Sequence, residues 1–190
     1  MTKRNQTESK DKQYWRTPEK AIPPLIDMIG RGEKFTNGRK TNKKFIEPCA
    51  GAGDLVRHLD AYGWKSTKHC DTEPQHPCVT KADALELPDA DYRKADLIIT
   101  NPPWKWEFME PLLKRFIEIR PTWLLLSADW AHNLQSSEYG ERYCKQIVSV
   151  GRLSWMGNGK GGFDNAAWYF FSQDNSSSTQ FTWRKRGVAQ

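Results

Sequence analysis

The sequence predicts an α/β fold built on a doubly wound, mostly parallel sheet. Three observations carry this expectation. Short apolar runs that stop at proline or asparagine alternate with stretches whose apolar residues recur at helical spacing. That alternation of strand and helix requires crossover connections between parallel strands. The polar residues Glu47, Asp71, Asp83 and Asn101 all fall at a strand end or just past one. Ligands of open α/β sheets bind at that edge.

The elements follow in order. Residues 1–14 are polar and basic and read as a disordered arm. Thr17-Pro18 has the form of an N-cap followed by proline at the first helical position, opening a helix over about 18–30. Residues 31–43 read as a polar loop. Lys44 to Pro48 is a short apolar strand stopped by proline, and Cys49 to Gly53 is a small-residue turn. Asp54 to Tyr62 places Leu55, Val56, Leu59 and Tyr62 on one helical face, and Gly63 suits a left-handed stop. Lys68–Asp71 and Val79–Asp83 read as strands. Asp96–Thr100 is a buried strand halted at Asn101-Pro102-Pro103.

Phe108–Ile119 reads as a helix ending before Pro121, and Trp123–Leu126 as the fifth strand. Residues 136–146 read as helix. Ile147–Leu153 and Ala166–Phe171 are two further strands with little helix between them, so an antiparallel hairpin at the sheet edge is expected. Trp123, Trp155 and Trp168 read as core, while Trp106 and Trp130 sit where they would wall a pocket. The Gly-rich segment 157–162 reads as a hairpin turn. The domain expected from this pass is 15–174, with a polar, basic tail over 175–190.

Composition bounds the function classes. The chain has 190 residues, a formal charge of +6 and 37% hydrophobic residues, enough for one real core. No apolar run is long enough to span a membrane. The opening MTKRNQTESKDKQ has no apolar stretch of the secretory kind. Four cysteines, none spaced C-x-x-C, suggest a reduced, cytoplasmic protein without a zinc ribbon. His69, Cys70, His76 and Cys78 cluster, but Cys70 reads better as a small apolar strand residue, and no metal site is expected. The charge is uneven. Residues 1–44 hold twelve basic and five acidic residues, whereas the rest is close to neutral. Such an arm is either a solvated tail or a footprint for a phosphate backbone. Arg184-Lys185-Arg186 forms a second small basic cluster.

Four features combine into a candidate site. Glu47-Pro48-Cys49-Ala50-Gly51-Ala52-Gly53 joins a strand to a helix, and its glycines let backbone approach a ligand closely. Asp71 ends the next strand, where an acid takes ribose hydroxyls. Asp83, in Ala82-Asp83-Ala84-Leu85, follows the third strand and has the chemistry to accept from an adenine amino group. Asn101-Pro102-Pro103-Trp104 is the sharpest signal. Two prolines hold extended backbone without N–H donors, so an amide oxygen and a carbonyl can aim at one amino group. Trp104 adds a flat face for a planar base.

On these motifs the chain resembles the class I S-adenosylmethionine-dependent methyltransferases, and most closely those that make N6-methyladenine in DNA. The resemblance implies a seven-stranded Rossmann-like sheet and S-adenosyl-L-methionine as cofactor. It implies cofactor contacts for Thr17, Pro18, Glu47, Pro48, Cys49, Gly51, Gly53, Asp71, Asp83, Ala84 and Asn101. Catalysis falls to Asn101, Pro102, Pro103 and Trp104. The order, with Thr-Pro first, cofactor motifs next and the Asn-Pro-Pro motif after, is that of the gamma arrangement. Two departures stand out. Trp104 replaces the usual Tyr or Phe, as in a related RNA- and DNA-adenine group with Asp-Pro-Pro-Trp. No large target-recognition domain is expected after the catalytic one, so specificity would come from loops, a partner subunit or homodimer, or be largely absent. RNA adenine and protein glutamine share the same amino chemistry, and a non-catalytic subunit of the same fold is a further alternative.

Overall fold

The computed structural model describes residues 16–36, 39–155, 164–174 and 178–185. The segment 157–162 and the N-terminal arm therefore lie outside the described residues.

Pro18 opens a 3-10 turn over Glu19–Ala21, which runs into helix α1, Ile22–Ile29. Pro23 and Pro24 occupy the first turn of α1, where no N–H partner is needed. Residues 31–43 depart from the expected loop. Strands β1 (Glu33–Thr36) and β2 (Arg39–Asn42) pair antiparallel as a separate two-stranded sheet. Asn42 Nδ2 donates to the Gly63 carbonyl at 2.6 Å, hooking this hairpin to the turn after the next helix.

The main sheet begins with β3 (Lys44–Glu47), followed by α2 (Asp54–Ala61), β4 (Lys65–Asp71) and the two-residue β5 (Thr80–Lys81). Then come α3 (Asp89–Arg93), β6 (Leu97–Thr100), α4 (Trp106–Ile119) and β7 (Thr122–Ser127). Helix α5 (Ser137–Tyr143) is shorter than expected, because β8 (Cys144–Arg152) starts three residues ahead of Ile147. Strands β9 (Asn165–Phe171) and β10 (Gln180–Thr182) complete the fold.

The eight strands are ordered β10-β8-β9-β7-β6-β3-β4-β5. All neighbours are parallel except β9, which runs antiparallel between β7 and β8. The expected hairpin of the last two long strands is present, but β10 lies outside it and takes the edge. β10 falls within the stretch read as a tail. Chain order reverses between β3 and β6, so a crevice opens there between carboxyl ends.

Side-chain alternation explains why both faces are covered. Ile46, Ile98, Leu124, Leu126, Tyr169 and Phe171 pack on one face with Leu113 and Phe116 of α4. Phe45, Ile99, Leu125, Val148 and Trp168 pack on the other with Ile22, Leu25, Leu55 and Leu59. Trp168 is fully buried and its indole N–H finds the Ala21 carbonyl at 2.7 Å. This bond holds the segment ahead of α1 against the sheet, and so sets where Thr17 lies.

Candidate functional site

Glu47 ends β3 and is 1% exposed. Its Oε1 accepts a short hydrogen bond from the hydroxyl of Thr100, itself fully buried at the end of β6. Oε2 is buried and accepts no hydrogen bond. Burial pushes the Glu47 carboxyl well above its ordinary range; the Thr100 hydroxyl and the backbone of Cys49 pull the other way, and the facing Asp71 adds to the rise. The bond locks the two strand ends that flank the crevice.

Asp71 performs a second lock. Its Oδ2 accepts from the Gly51 N–H and its Oδ1 from the Glu73 N–H, each at 2.8 Å. The carboxylate thus ties the glycine turn to the end of β4, with the Thr72 hydroxyl as a further donor, and its two oxygens still hold spare acceptor capacity. Burial raises the Asp71 carboxyl, and the Gly51 amide opposes the rise. Gly51 has φ +51°, and a Cβ built there meets nothing within 4 Å. The turn therefore presents bare backbone to open space. Pro48 is buried, and its carbonyl faces the Cys70 thiol at 3.9 Å. The Cys49 thiol is pushed well up by burial and by the carboxylates of Glu47 and Asp71, which removes it as a nucleophile.

Asn101 follows β6 and is pinned from two sides. Its Nδ2 donates to the Thr17 hydroxyl at 3.3 Å, and its Oδ1 accepts from the Trp104 indole N–H at 3.2 Å. Indole nitrogen only donates, so the atom facing it must be the amide oxygen. The same N–H also reaches the Leu125 carbonyl at 3.0 Å. Trp155 abuts the Trp104 ring edge-on, with centroids 5.2 Å apart. Trp155 is core, as expected, and also a support for Trp104. Pro102 is buried, Pro103 is half-buried, and the Pro102 carbonyl accepts no hydrogen bond from the described residues.

Thr17 departs from the sequence reading. It makes no side-chain cap on the turn that Pro18 opens, and its buried hydroxyl serves Asn101, 84 residues away in sequence. Asp83 is exposed and bends its own loop, its Oδ1 accepting from the Leu85 N–H at 2.8 Å. Ala84 is buried and its carbonyl accepts from the Tyr92 hydroxyl. The Ala82 N–H donates to the Asp71 carbonyl at 3.0 Å, which brings this loop beside the end of β4. Trp130 is corrected: it packs against Tyr169 and Phe171 and belongs to the core. Trp106 packs against Tyr139.

Sequence reasoning missed three residues. Arg16 grips Asp54 with two hydrogen bonds of 2.7 Å, and Arg57 joins them. Arg16, with its hydrogen bonds as the first cause, holds the Asp54 carboxyl below its ordinary range. The pair straps the Thr17 segment across the glycine turn. A cleft of about 410 Å³ opens there, lined by Arg16, Ala52, Arg57, Gln75 and His76. The signal for the strap was an acid directly after Gly-Ala-Gly and an arginine directly before Thr-Pro. The third, Thr100, was a polar residue closing an otherwise apolar strand. The basic segment is also less free than its charge suggests. Arg31 lies over Tyr62, and Lys43 donates to the Ile29 carbonyl and lies over Trp64.

No protein-family model matches the chain, and no curated protein matches its sequence. Solved structures do match in fold. The modification subunit of a type I restriction enzyme from Vibrio vulnificus superposes with a TM-score of 0.56 at 10% identity, over 93% of this chain and 48% of that one. The type IIG restriction endonuclease BpuSI gives 0.53 at 14% identity, over 85% of this chain and 26% of that one. A SAM-dependent methyltransferase from Agrobacterium tumefaciens gives 0.51 at 14% identity, over 83% and 63%. The chain has the class I methyltransferase fold. It spans about half the length of the first of these proteins and about a quarter of the second. In this class I fold the two locks, Glu47–Thr100 and Asp71–Gly51, lie at the carboxyl edge of the sheet, on strands β3, β4 and β6 around the reversal point.

Proposed function

We propose that this protein transfers the methyl group of S-adenosyl-L-methionine to the N6 amino group of adenine in DNA, with low intrinsic sequence specificity. The observation that carries the proposal is the fixed orientation of Asn101. Its amide oxygen is held by the Trp104 indole, and the carbonyl of the next residue, Pro102, has no partner among the described residues.

The residues present fit the cofactor. Glu47 Oε2 is an orphaned buried oxygen, the Asp71 carboxylate keeps unused lone pairs, and Gly51 leaves open space where a Cβ would project. The glycine turn, Glu47 and Thr17-Pro18 would hold the methionine end, Asp71 the ribose and Asp83 the adenine. The bound cofactor supplies a sulfonium methyl group as electrophile.

This chain's own residues then act on the target base. Asn101 Oδ1 and the Pro102 carbonyl accept the two hydrogens of the amino group, which directs its lone pair away from both. Trp104 stacks on the ring plane. Positive charge that develops on the nitrogen meets two oxygens already oriented for it, so no reorganisation is required. Thr17 and the Trp104 indole prevent the Asn101 amide from turning over. The product ammonium is acidic and needs no strong base. Alignment does most of the work.

Nucleic acid is favoured over a protein glutamine by the basic excess ahead of Phe45. The test uses cofactor labelled in the methyl group with pools of DNA, RNA and protein, followed by nucleoside and amino-acid analysis. Label in N6-methyladenine from DNA supports the reading. Label confined to RNA or to glutamine refutes it.

A further inference from the structure

Two aromatic side chains stand in solvent at the far edge of the sheet. Phe181 of β10 is 50% exposed and Trp183, just past it, is 80% exposed. Their rings meet edge to face with centroids 4.8 Å apart, and neither joins a core cluster. Positions 181 and 183 share one side of the strand, so the two rings form a single patch.

Two arginines lie near the patch in the chain and along β8. Arg152 ends β8, Arg184 follows Trp183, and both are exposed without an ion pair among the described residues. Lys185 pairs with Asp27 at 2.8 Å, and Asp164 directly precedes Asn165, the partner of Arg152 at the end of β8. Gly151 makes room for this arrangement. It has φ +87°, and a Cβ there would come within 2.6 Å of Arg184 Nη1. The Arg184 guanidinium thus lies against backbone at the end of β8.

Direction links the patch to Asn101. β6, β7, β8 and β10 all run the same way, since β7 and β8 are each antiparallel to β9 and β10 is parallel to β8. Asn101, Arg152, Trp183 and Arg184 therefore emerge on one edge. Four strand spacings separate β6 from β10, or about 19 Å at ~4.8 Å each. A stacked strand covers about 19 Å in roughly six nucleotides, and a stretched one in fewer.

We propose that Phe181 and Trp183, with Arg184 next in the chain and Arg152 farther along the same edge, form a stacking platform for an unpaired nucleotide that flanks the target base by a few positions. Exposed aromatic faces stack on any base, and adjacent guanidinium groups take the phosphates. The platform grips single strands without reading sequence. A second protein chain is the weaker occupant: β10 has only three residues to offer for strand pairing, and the exposed Arg152 and Arg184 near it favour an anionic partner. The proposal rests on the nucleic-acid reading above and adds where the strand runs.

Fluorescence anisotropy with a labelled single-stranded oligodeoxynucleotide of about twelve nucleotides tests it. Trp183→Ala is expected to weaken binding about 10-fold, and Trp183→Phe to restore most of it. An adenine trinucleotide, too short to reach both sites, is expected to bind both proteins alike. Unchanged affinity of Trp183→Ala for the longer strand overturns the platform. So does a wild-type dimer that this variant splits, because the patch then serves protein. Trp183-dependent binding without methyl transfer would leave the platform standing and refute the proposed activity. Methyl transfer to DNA with an indifferent Trp183→Ala would do the reverse.

Discussion

Replacing Thr100 by Val tests how the crevice is held together. Val keeps the shape and removes one hydroxyl. Thr100 is fully buried, and that hydroxyl is the donor to Glu47 Oε1 in a carboxylate whose other oxygen has none. A hydrogen bond to a charged group contributes about 1.5–3 kcal/mol, and one to a neutral group about 1 kcal/mol. The loss should therefore depend on pH. The folded pKa of Glu47 is raised by burial, so its contribution to stability is fully present below its unfolded value and declines as pH rises toward the folded one. Removing the Thr100 donor raises the folded pKa further and deepens that decline. Across pH 4.5–8, Thr100→Val is expected to lose about 1 kcal/mol while Glu47 is protonated and about 2–3 kcal/mol once it is ionised. At ~2–4 °C per kcal/mol, the alkaline loss lowers Tm by about 4–12 °C. Urea denaturation across that pH range reads it directly, with Thr100→Ser as the control that retains the donor. A loss that does not vary with pH, or no loss at pH 8, refutes the reasoning.

Three other outcomes follow from the same geometry. Asp71→Ala removes the acceptor of the Gly51 and Glu73 amides, so cofactor affinity should fall at least 10-fold by calorimetry, consistent with the loss of charge-assisted bonds of about 1.5–3 kcal/mol each. Gly51→Ala should reduce stability by only about 1–2 kcal/mol for its left-handed backbone, yet abolish cofactor binding, because the added Cβ enters the open space over the turn. Asp54→Asn should weaken the strap to Arg16. Because Arg16 lowers the Asp54 pKa, that strap is present at neutral pH and is lost as pH falls through the folded value, so wild type and variant should converge in thermal melts only in strong acid.

Much of the fold was legible because buried strands and amphipathic helices write their periods into the sequence. β3, β6 and β7 are apolar runs with clear stops, and α2 and α4 carry their stripes. The β1–β2 hairpin was not legible: apart from Phe35, Glu33–Thr36 and Arg39–Asn42 are polar, with no apolar alternation to mark two strands. β10 is three residues long, too short for any alternation to register. At the site, Asn-Pro-Pro-Trp and Gly-Ala-Gly announce themselves through unusual backbone chemistry. The Arg16–Asp54 strap and the Thr17–Asn101 bond span 38 and 84 residues, and only folding brings such partners together.

The Asn101→Ala variant, assayed for methyl transfer to DNA and for cofactor binding in parallel, tests the central claim most directly. Loss of N6-methyladenine formation by at least 100-fold, with cofactor affinity within about threefold of wild type, is the expected result. Near-normal transfer by Asn101→Ala would contradict the account.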